Sequence, residues 1–444
     1  MFTGSLSYQH FPIFVNMEIN NLYQLYLKNP GIETDSRKIK KNDIFFALKG
    51  PNFNGNHYAQ QALVDGAAYC VVDEETGCMD ERIIKVNDCL HTLQQLAKKH
   101  REQFSIPFLA ITGSNGKTTT KELVHAVLSS TFKTYTTAGN LNNHIGIPLT
   151  ILKVKADAEF AVIEMGANHQ KEIEGYCMYT MPTHGLITNC GKAHLEGFGG
   201  EAGVRKGKGE LFDHLRKNHG TAFIYNDYNY LIEMSAGIPT VITYGTRHAD
   251  ITGEIITDTA NEFLQVKITK GSAIKEIKTQ LVGGYNLPNV LASVCIGKTF
   301  KVDDAKIKAA LENYSPSNSR SQLIERDGNK IILDAYNANP SSMKAAIENF
   351  ISMPGTKKVL ILGGMMELGN ESIHEHETLA RLVSQHEWYK VVLVGNDFRN
   401  LPPHFIHFNN VTEANSWYKE QNLKDAQVLI KGSRSMQMEK VLDE

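Results

Sequence analysis

The residues best suited to chemistry are Gly113-Ser114-Asn115-Gly116-Lys117-Thr118-Thr119, which follow the apolar run Phe108 to Ile111. Directly after them Leu123, Val124, Val127 and Leu128 recur at helical spacing. Phosphate binding needs this order: glycines let backbone N–H groups close on phosphate oxygens, and a helix N-terminus adds partial positive charge. Lys117 is placed to reach the β- and γ-phosphates, and the Thr118 hydroxyl to ligate Mg²⁺. Ile111 stands where the longer G-x-x-x-x-G-K-[ST] loop would have its first glycine, so this is a shorter T-G-x-x-G-K-T form. In FAVIEM, Glu164 ends a second apolar run. Strand C-termini of open α/β sheets form the ligand crevice, and a carboxylate there suits a hard cation. A carboxylate merely capping a surface strand is the alternative.

The short loop resembles that of the Mur ligase family and its folylpolyglutamate synthase relatives. GNLNNHIGIPLTIL is similar to the family's N-N-x-x-G-x-P segment, which puts Asn142 and Asn143 near the γ-phosphate and substrate carboxylate. NCGKAHLEGFGG resembles N-x-G-x-A-H-L-E, in which the histidine binds a second Mg²⁺; here that is His194. VRKGKGELF resembles the segment carrying a carbamylated lysine, here Lys208. Reaction with CO₂ turns a repelled ammonium into an anionic oxygen donor, and a solvated basic run is the other reading. In GGYNLPNVLAS the family's adenine-contacting asparagine falls on Asn289, with Tyr285 where histidine is usual.

SRSQLIERDGNKIILDAYNANPSSMKAAI resembles the junction that supplies an arginine to the γ-phosphate, Arg320, and an aspartate to the ribose, Asp334. Ser319 stands where the family has glycine. Within the family, D-x-Y-N-A-N-P-x-S-M is typical of members that add D-alanyl-D-alanine to a UDP-N-acetylmuramoyl-tripeptide. The resemblance therefore implies that Tyr336, Asn337 and Asn339 position the dipeptide or an acyl phosphate. A sister enzyme adding a single amino acid to a UDP-muramoyl peptide is the alternative. GGMMELGNESIHEHETLA and KGSRSMQMEKVL resemble further family segments. The first carries an H-x-H, His374 and His376, read as exposed and inert, and the second carries Arg434, either a packing or a substrate contact. TDSRKIKKNDIFFALKG resembles the uridine-diphosphate-binding segment, implicating Ser36 and Arg37.

The elements that must hold these residues form three blocks in an α/β chain. Residues 1–16 read as a possible leader or upstream start, and 17–104 as a small α/β UDP-binding domain closed by the helix TLQQLAKKHREQF. Residues 105–313 read as a central P-loop NTPase-like sheet domain with buried parallel strands FLAIT, FAVIEM and HGLITN. DITGEIITD, EFLQVKITK and KEIKTQLV alternate with period two, as antiparallel strands laid on that sheet would. Residues 314–444 carry KIILDAY, KVLILGG, KVVLVG and AQVLIKG, a Rossmann-like third domain. With 46 Lys and Arg against 48 Asp and Glu, the net charge of −2 argues against nucleic-acid binding and leaves anionic ligands to local charge. No apolar run approaches the ~18 residues of a membrane helix. The six scattered cysteines fit reduced thiols in a cytoplasmic protein. Taken with the resemblance, the expectation is a monomeric ligase using ATP and Mg²⁺.

Overall fold

The computed structural model describes residues 17–257, 262–316, 319–398 and 402–443. They fall into two compact units, one made of residues 17–105, 144–156 and 178–181, the other of residues 106–143, 157–177 and 182–443. Residues 1–16, read above as a leader or an upstream start, lie outside the described residues.

In the first unit a four-stranded parallel sheet runs in the order Ile32–Glu33, Ile44–Phe46, Tyr69–Val72, Ile83–Lys85. Phe45, Cys70 and Val72 pack there against Ala59, Ala62 and Leu63 of a short helix. The helix Cys89–Arg101 is capped by Asp88, whose carboxylate accepts from the His91 N–H. It buries Leu93, Leu96 and Ala97, the face its spacing predicts, and also His100 and Arg101. His100 donates from Nε2 to the Val154 carbonyl at 2.7 Å, so its Nδ1 accepts from the Tyr23 hydroxyl at 3.1 Å. Burial pushes the His100 pKa down, which keeps the ring in this neutral form. Arg101 meets the carbonyls of Thr180, Met181 and Phe104.

The second unit contains a nine-stranded sheet. From one edge its strands are Glu276–Val282, Phe263–Lys270, Ile251–Ile255, Thr240–Gly245, Thr221–Tyr225, His184–Ile187, Phe108–Thr112, Phe160–Glu164 and Thr134–Thr136. Phe108–Thr112 and Phe160–Glu164 are buried along their whole length, as continuous apolar runs in a parallel sheet must be. The helix Lys117–Ser129 lies against them with Leu123, Val124, Val127 and Leu128 inside. The period-two segments do not form a layer laid on this sheet. They extend its edge, Ile251–Ile255 pairing parallel to Thr240–Gly245 and the next two strands antiparallel. Alternation reports one polar face and carries no information on which neighbour a strand finds.

A six-stranded sheet completes the unit in the order Gln322–Arg326, Asn329–Asp334, Gln427–Lys431, Lys358–Gly363, Lys390–Val394, Ile406–Phe408. All pairs are parallel except the first, a hairpin turned by Asp327 and Gly328 at φ 53° and 76°. Both positive angles are what a two-residue hairpin turn requires. The inner strands pack Ile331, Val359, Ile361, Val392 and Val428 into one core.

Arg101 gives the first testable expectation. Arg101→Met leaves three carbonyl acceptors without their donor and should lower stability by about 2–4 kcal/mol, read as a fall in the urea midpoint. An unchanged midpoint would show that the three bonds contribute nothing net.

Candidate active site

The loop after Phe108–Thr112 turns at Gly113, φ 140°, and enters the helix through Gly116, φ 80°. A side chain on Gly113 would meet the Thr188 hydroxyl at 2.0 Å, and one on Gly116 would meet Asn289 Oδ1 at 2.8 Å. Both glycines therefore serve close packing as well as backbone freedom. The loop is held from the neighbouring strand's exit: the Ser114 N–H donates to the Asn189 carbonyl at 2.9 Å and the Asn115 N–H to Asn189 Oδ1 at 3.0 Å. In return the Asn115 carbonyl accepts from Thr188 Oγ1 at 2.6 Å and Asn189 Nδ2 at 3.1 Å. Lys117 folds back, Nζ donating to the Gly113 and Ser114 carbonyls at 2.7 and 3.1 Å. Its pKa is lowered first by burial and further by Arg320, while Glu164 opposes the shift.

Glu164 is 1% exposed. Its Oε1 accepts from the Thr118 hydroxyl at 3.1 Å and from Asn142 Nδ2 at 2.8 Å, whereas Oε2 is buried without a partner. A buried carboxylate oxygen with no donor is costly. A hard cation bound by Thr118 and Glu164 would remove that cost, so these residues fit Mg²⁺. Among the described residues no cluster of three or more His, Cys, Asp or Glu side chains could cage a metal by itself. Asn143, the companion of Asn142, is exposed.

His194 stands at φ 53° before a short helix, and its Nδ1 lies 2.5 Å from Glu367 Oε2, a close approach without hydrogen-bond geometry. Glu367 is held below the usual carboxylate range chiefly by that histidine. Lys208 is 1% exposed, donates to the Ala167 carbonyl at 3.0 Å and lies 4.8 Å from the Phe198 ring centre. Burial, and then the charge of Lys117, push its pKa down to about 7. A substantial share of neutral amine at physiological pH is what reaction with CO₂ requires.

The Rossmann-like sheet reaches the same loop. Asn339 caps the helix Pro340–Ser352, accepting from the Ser342 N–H at 2.9 Å, and its Nδ2 donates to Asn115 Oδ1 at 2.7 Å. Arg320 stacks on Tyr336, its guanidinium carbon 3.5 Å from the ring centre. Ser319 at φ 54° explains why glycine is usual there, since the turn presenting Arg320 is left-handed. Asp334 accepts from the Ser321 N–H at 3.0 Å and pairs with buried Lys431 at 2.5 Å. Lys431 also donates to the Asn337 carbonyl at 3.2 Å. Asn289 is engaged at both ends of its amide, accepting from Thr120 Oγ1 at 3.0 Å and donating to Asn286 Oδ1 at 2.9 Å. Tyr285, in the histidine's place, bonds Ser321 Oγ at 2.8 Å.

Ser36 and Arg37 belong to the first unit. Arg37 is largely exposed and forks onto Asp35 at 2.8 and 2.9 Å, a pair it would have to leave to meet a diphosphate. The expectation of an exposed H-x-H fails for His376. It is fully buried, accepts from the Met365 N–H at Nε2 (2.9 Å) and meets the Ser372 carbonyl at Nδ1 (2.7 Å). The helical phase puts it inward with Leu379, Ala380 and Val383, leaving His374 outside. The sequence reading missed Lys431, whose signal is a lone charge ending the apolar strand QVLIK. It also missed Lys192, whose Nζ pairs with Glu375 at 2.6 Å while its N–H donates to Ser341 Oγ at 2.9 Å. Those two contacts tie the central sheet's loop to the C-terminal sheet's helices.

Three family models match the chain: Mur ligase family, catalytic domain, over residues 30–101; Mur ligase middle domain, over 111–297; and Mur ligase, glutamate ligase domain, over 319–434. The chain belongs to the Mur ligase family. The UDP-N-acetylmuramoyl-tripeptide–D-alanyl-D-alanine ligase of Bacillus subtilis is 32% identical over 93% of this chain and 92% of its own. The MurF of Acinetobacter baumannii superposes with a TM-score of 0.85 at 28% identity, covering 94% of this chain and 97% of the other. The MurF ligase from Thermotoga maritima in complex with ADP does so at 0.84 and 27%, with the same coverage.

Lys208 carries the second expectation. Its pKa is about 7 in the fold and near 10.4 when unfolded, so between these values the unfolded chain holds the extra proton. Stability therefore rises with pH through that window, and the cost of burying the charged amine is largest below pH 7. In carbonate-free buffer, Lys208→Met should be the more stable protein by roughly 2–4 kcal/mol at pH 7, an advantage that shrinks towards pH 10. Urea midpoints at the two pH values check it. A methionine variant that is less stable at pH 7 would contradict the burial argument.

Proposed function

We propose that this chain uses ATP to join D-alanyl-D-alanine to a UDP-N-acetylmuramoyl-tripeptide, forming ADP, phosphate and the UDP-muramoyl-pentapeptide used in peptidoglycan synthesis. The reading is supported chiefly by one contact. Asn339, in the Tyr-Asn-Ala-Asn-Pro stretch typical of dipeptide-adding members, bonds directly to Asn115 of the phosphate loop. Substrate choice and nucleotide chemistry thus meet within one hydrogen bond.

Amide formation needs the acid's hydroxide replaced by a better leaving group, and transfer of the γ-phosphoryl group to the tripeptide carboxylate does this. The N–H groups of residues 116–119, which the Ser114 and Asn115 bonds to Asn189 leave free to turn towards a ligand, cradle the phosphates, and Lys117 leaves its carbonyl partners for the phosphoryl oxygens. Arg320, held over the Tyr336 ring, stabilises the charge that develops in transfer. Mg²⁺ would be held by Thr118 and Glu164, with His194 and a carbamylated Lys208 at a second position, and would neutralise charge between carboxylate and phosphate. Asn142 keeps Glu164 aimed, because its amide occupies the oxygen that Thr118 also uses. Asn289 supports the start of the loop helix beside the adenine, and Asp334, anchored by Lys431, faces the ribose. Asn143, Tyr336 and Asn337 border the reacting carboxylate, and the dipeptide amine attacks the acyl phosphate there. Ser36 and Arg37 serve the uridine diphosphate. The chain is read as a cytoplasmic monomer. All six cysteines are free, and no helix among the described residues is long and apolar enough to cross a membrane.

Phosphate release with ATP, Mg²⁺ and UDP-muramoyl-tripeptide should depend on D-alanyl-D-alanine, and the product should gain the dipeptide less water. Release that needs a UDP-muramoyl-dipeptide and one amino acid instead would make it a sister ligase. With ¹³C-bicarbonate, the protein should show one slowly exchanging carbamate carbon by NMR, absent from Lys208→Met. The same spectrum from both proteins would remove Lys208 from the metal site.

A further inference from the structure

A second guanidinium shares the ring that holds Arg320. Arg434 has its guanidinium carbon 4.9 Å from the Tyr336 ring centre, against 3.5 Å for Arg320. Two cations on one ring repel each other, and stacking on the aromatic face offsets only part of that cost. Among the described residues neither arginine has an acidic partner. Asp334, two residues before Tyr336 at the end of its strand, is taken by buried Lys431 at 2.5 Å. Lys431 ends the strand and Arg434 lies three residues on in the turn that follows, so one cation neutralises the acid while the other stays exposed without an acidic partner. The turn is closed by the Met436 N–H donating to the Ser433 carbonyl, which fixes where Arg434 leaves the backbone. An uncompensated pair of guanidinium groups beside a phosphate loop is a site for two anionic groups.

The reaction brings two such groups together. One is the phosphoryl group, the role proposed for Arg320. The other is the free carboxylate at the far end of the incoming dipeptide, whose amine must reach the acyl phosphate. The two guanidinium carbons are no further apart than their distances to the ring laid end to end. Two extended residues span roughly 7 Å, which lies within that upper limit. We propose that Arg434 is a specificity-determining residue that binds the free carboxylate of the incoming dipeptide and so orients its amine. The proposal rests on the substrate reading above. The two arginines on Tyr336 then have separate roles, Arg320 meeting the activated acid and Arg434 the nucleophile's tail. Tyr336 spaces both.

The test is steady-state kinetics of the whole enzyme with D-alanyl-D-alanine and with its C-terminal amide, which keeps the amine and removes the charge. The wild-type enzyme should prefer the acid by roughly 10- to 100-fold in kcat/KM, the range for a charge-assisted hydrogen-bonded pair. Arg434→Gln should lower kcat/KM for the acid by a similar factor through KM and leave the amide within about twofold, so the preference collapses. KM for ATP and for the tripeptide should not move, and Arg434→Lys should keep part of the preference. If Arg434→Gln slows acid and amide equally, the residue packs the turn and the proposal is overturned. A raised KM for the UDP-muramoyl-tripeptide with the preference intact would assign the carboxylate to the acceptor, which also overturns it. A wild-type enzyme that turns over neither nucleophile refutes the substrate reading itself, and the assignment falls with it.

Discussion

A phosphate-binding loop works only if its N–H groups already point at the phosphates, because any reorganisation is subtracted from the stabilisation they provide. Holding residues 113–119 in place is the constraint from which the rest of this structure follows. Three sources meet it. The loop's own helix starts just after Gly116, the exit of the neighbouring strand grips the backbone through Asn189, and Asn339, capping a helix of the C-terminal sheet, holds the Asn115 side chain. The first two lie within one sheet and make the loop rigid. The third couples that rigidity to the C-terminal sheet and its helices, and Lys192 reinforces it by bonding both Ser341 and Glu375.

Buried charge is distributed to serve the same end. Glu164 keeps one oxygen satisfied by Thr118 and Asn142 and one bare, Lys208 is driven towards its neutral form, and Lys431 consumes Asp334. Each departs from what stability alone would select. The bare oxygen fits a cation and the neutralised amine fits a reaction with CO₂. The consumed aspartate leaves the two guanidinium groups on Tyr336 without an acidic partner. A single arrangement, in which cations and acids are mismatched around the loop, accounts for all three.

Much of this was legible in the residues because it is local. The strand–loop–helix around Lys117, the inward face of Leu123 to Leu128 and the strand ending in Glu164 all follow from periodicity and turn chemistry. What stayed hidden depends on partners distant in the chain. Lys192 finds Glu375 across more than one hundred and eighty residues, and no local pattern foretells that. The strand Gln322–Arg326 is hard to read because its polar residues mask its alternation, although the Asp327-Gly328 turn after it is a readable hairpin signal. Charged neighbours make the helix around His376 look solvated, when the helical phase turns that ring inward with Leu379.

Coupling between the phosphate loop and the C-terminal sheet depends most on the Asn115–Asn339 bond. A double-mutant cycle with Asn115→Ala and Asn339→Ala, read as kcat/KM for ATP in dipeptide-dependent phosphate release, tests it directly. The two substitutions should be strongly non-additive, with a coupling of at least about 1 kcal/mol, because either one alone already breaks the shared bond. Strictly additive losses would mean that the two side chains act independently, and the link between nucleotide and nucleophile would have to be sought elsewhere.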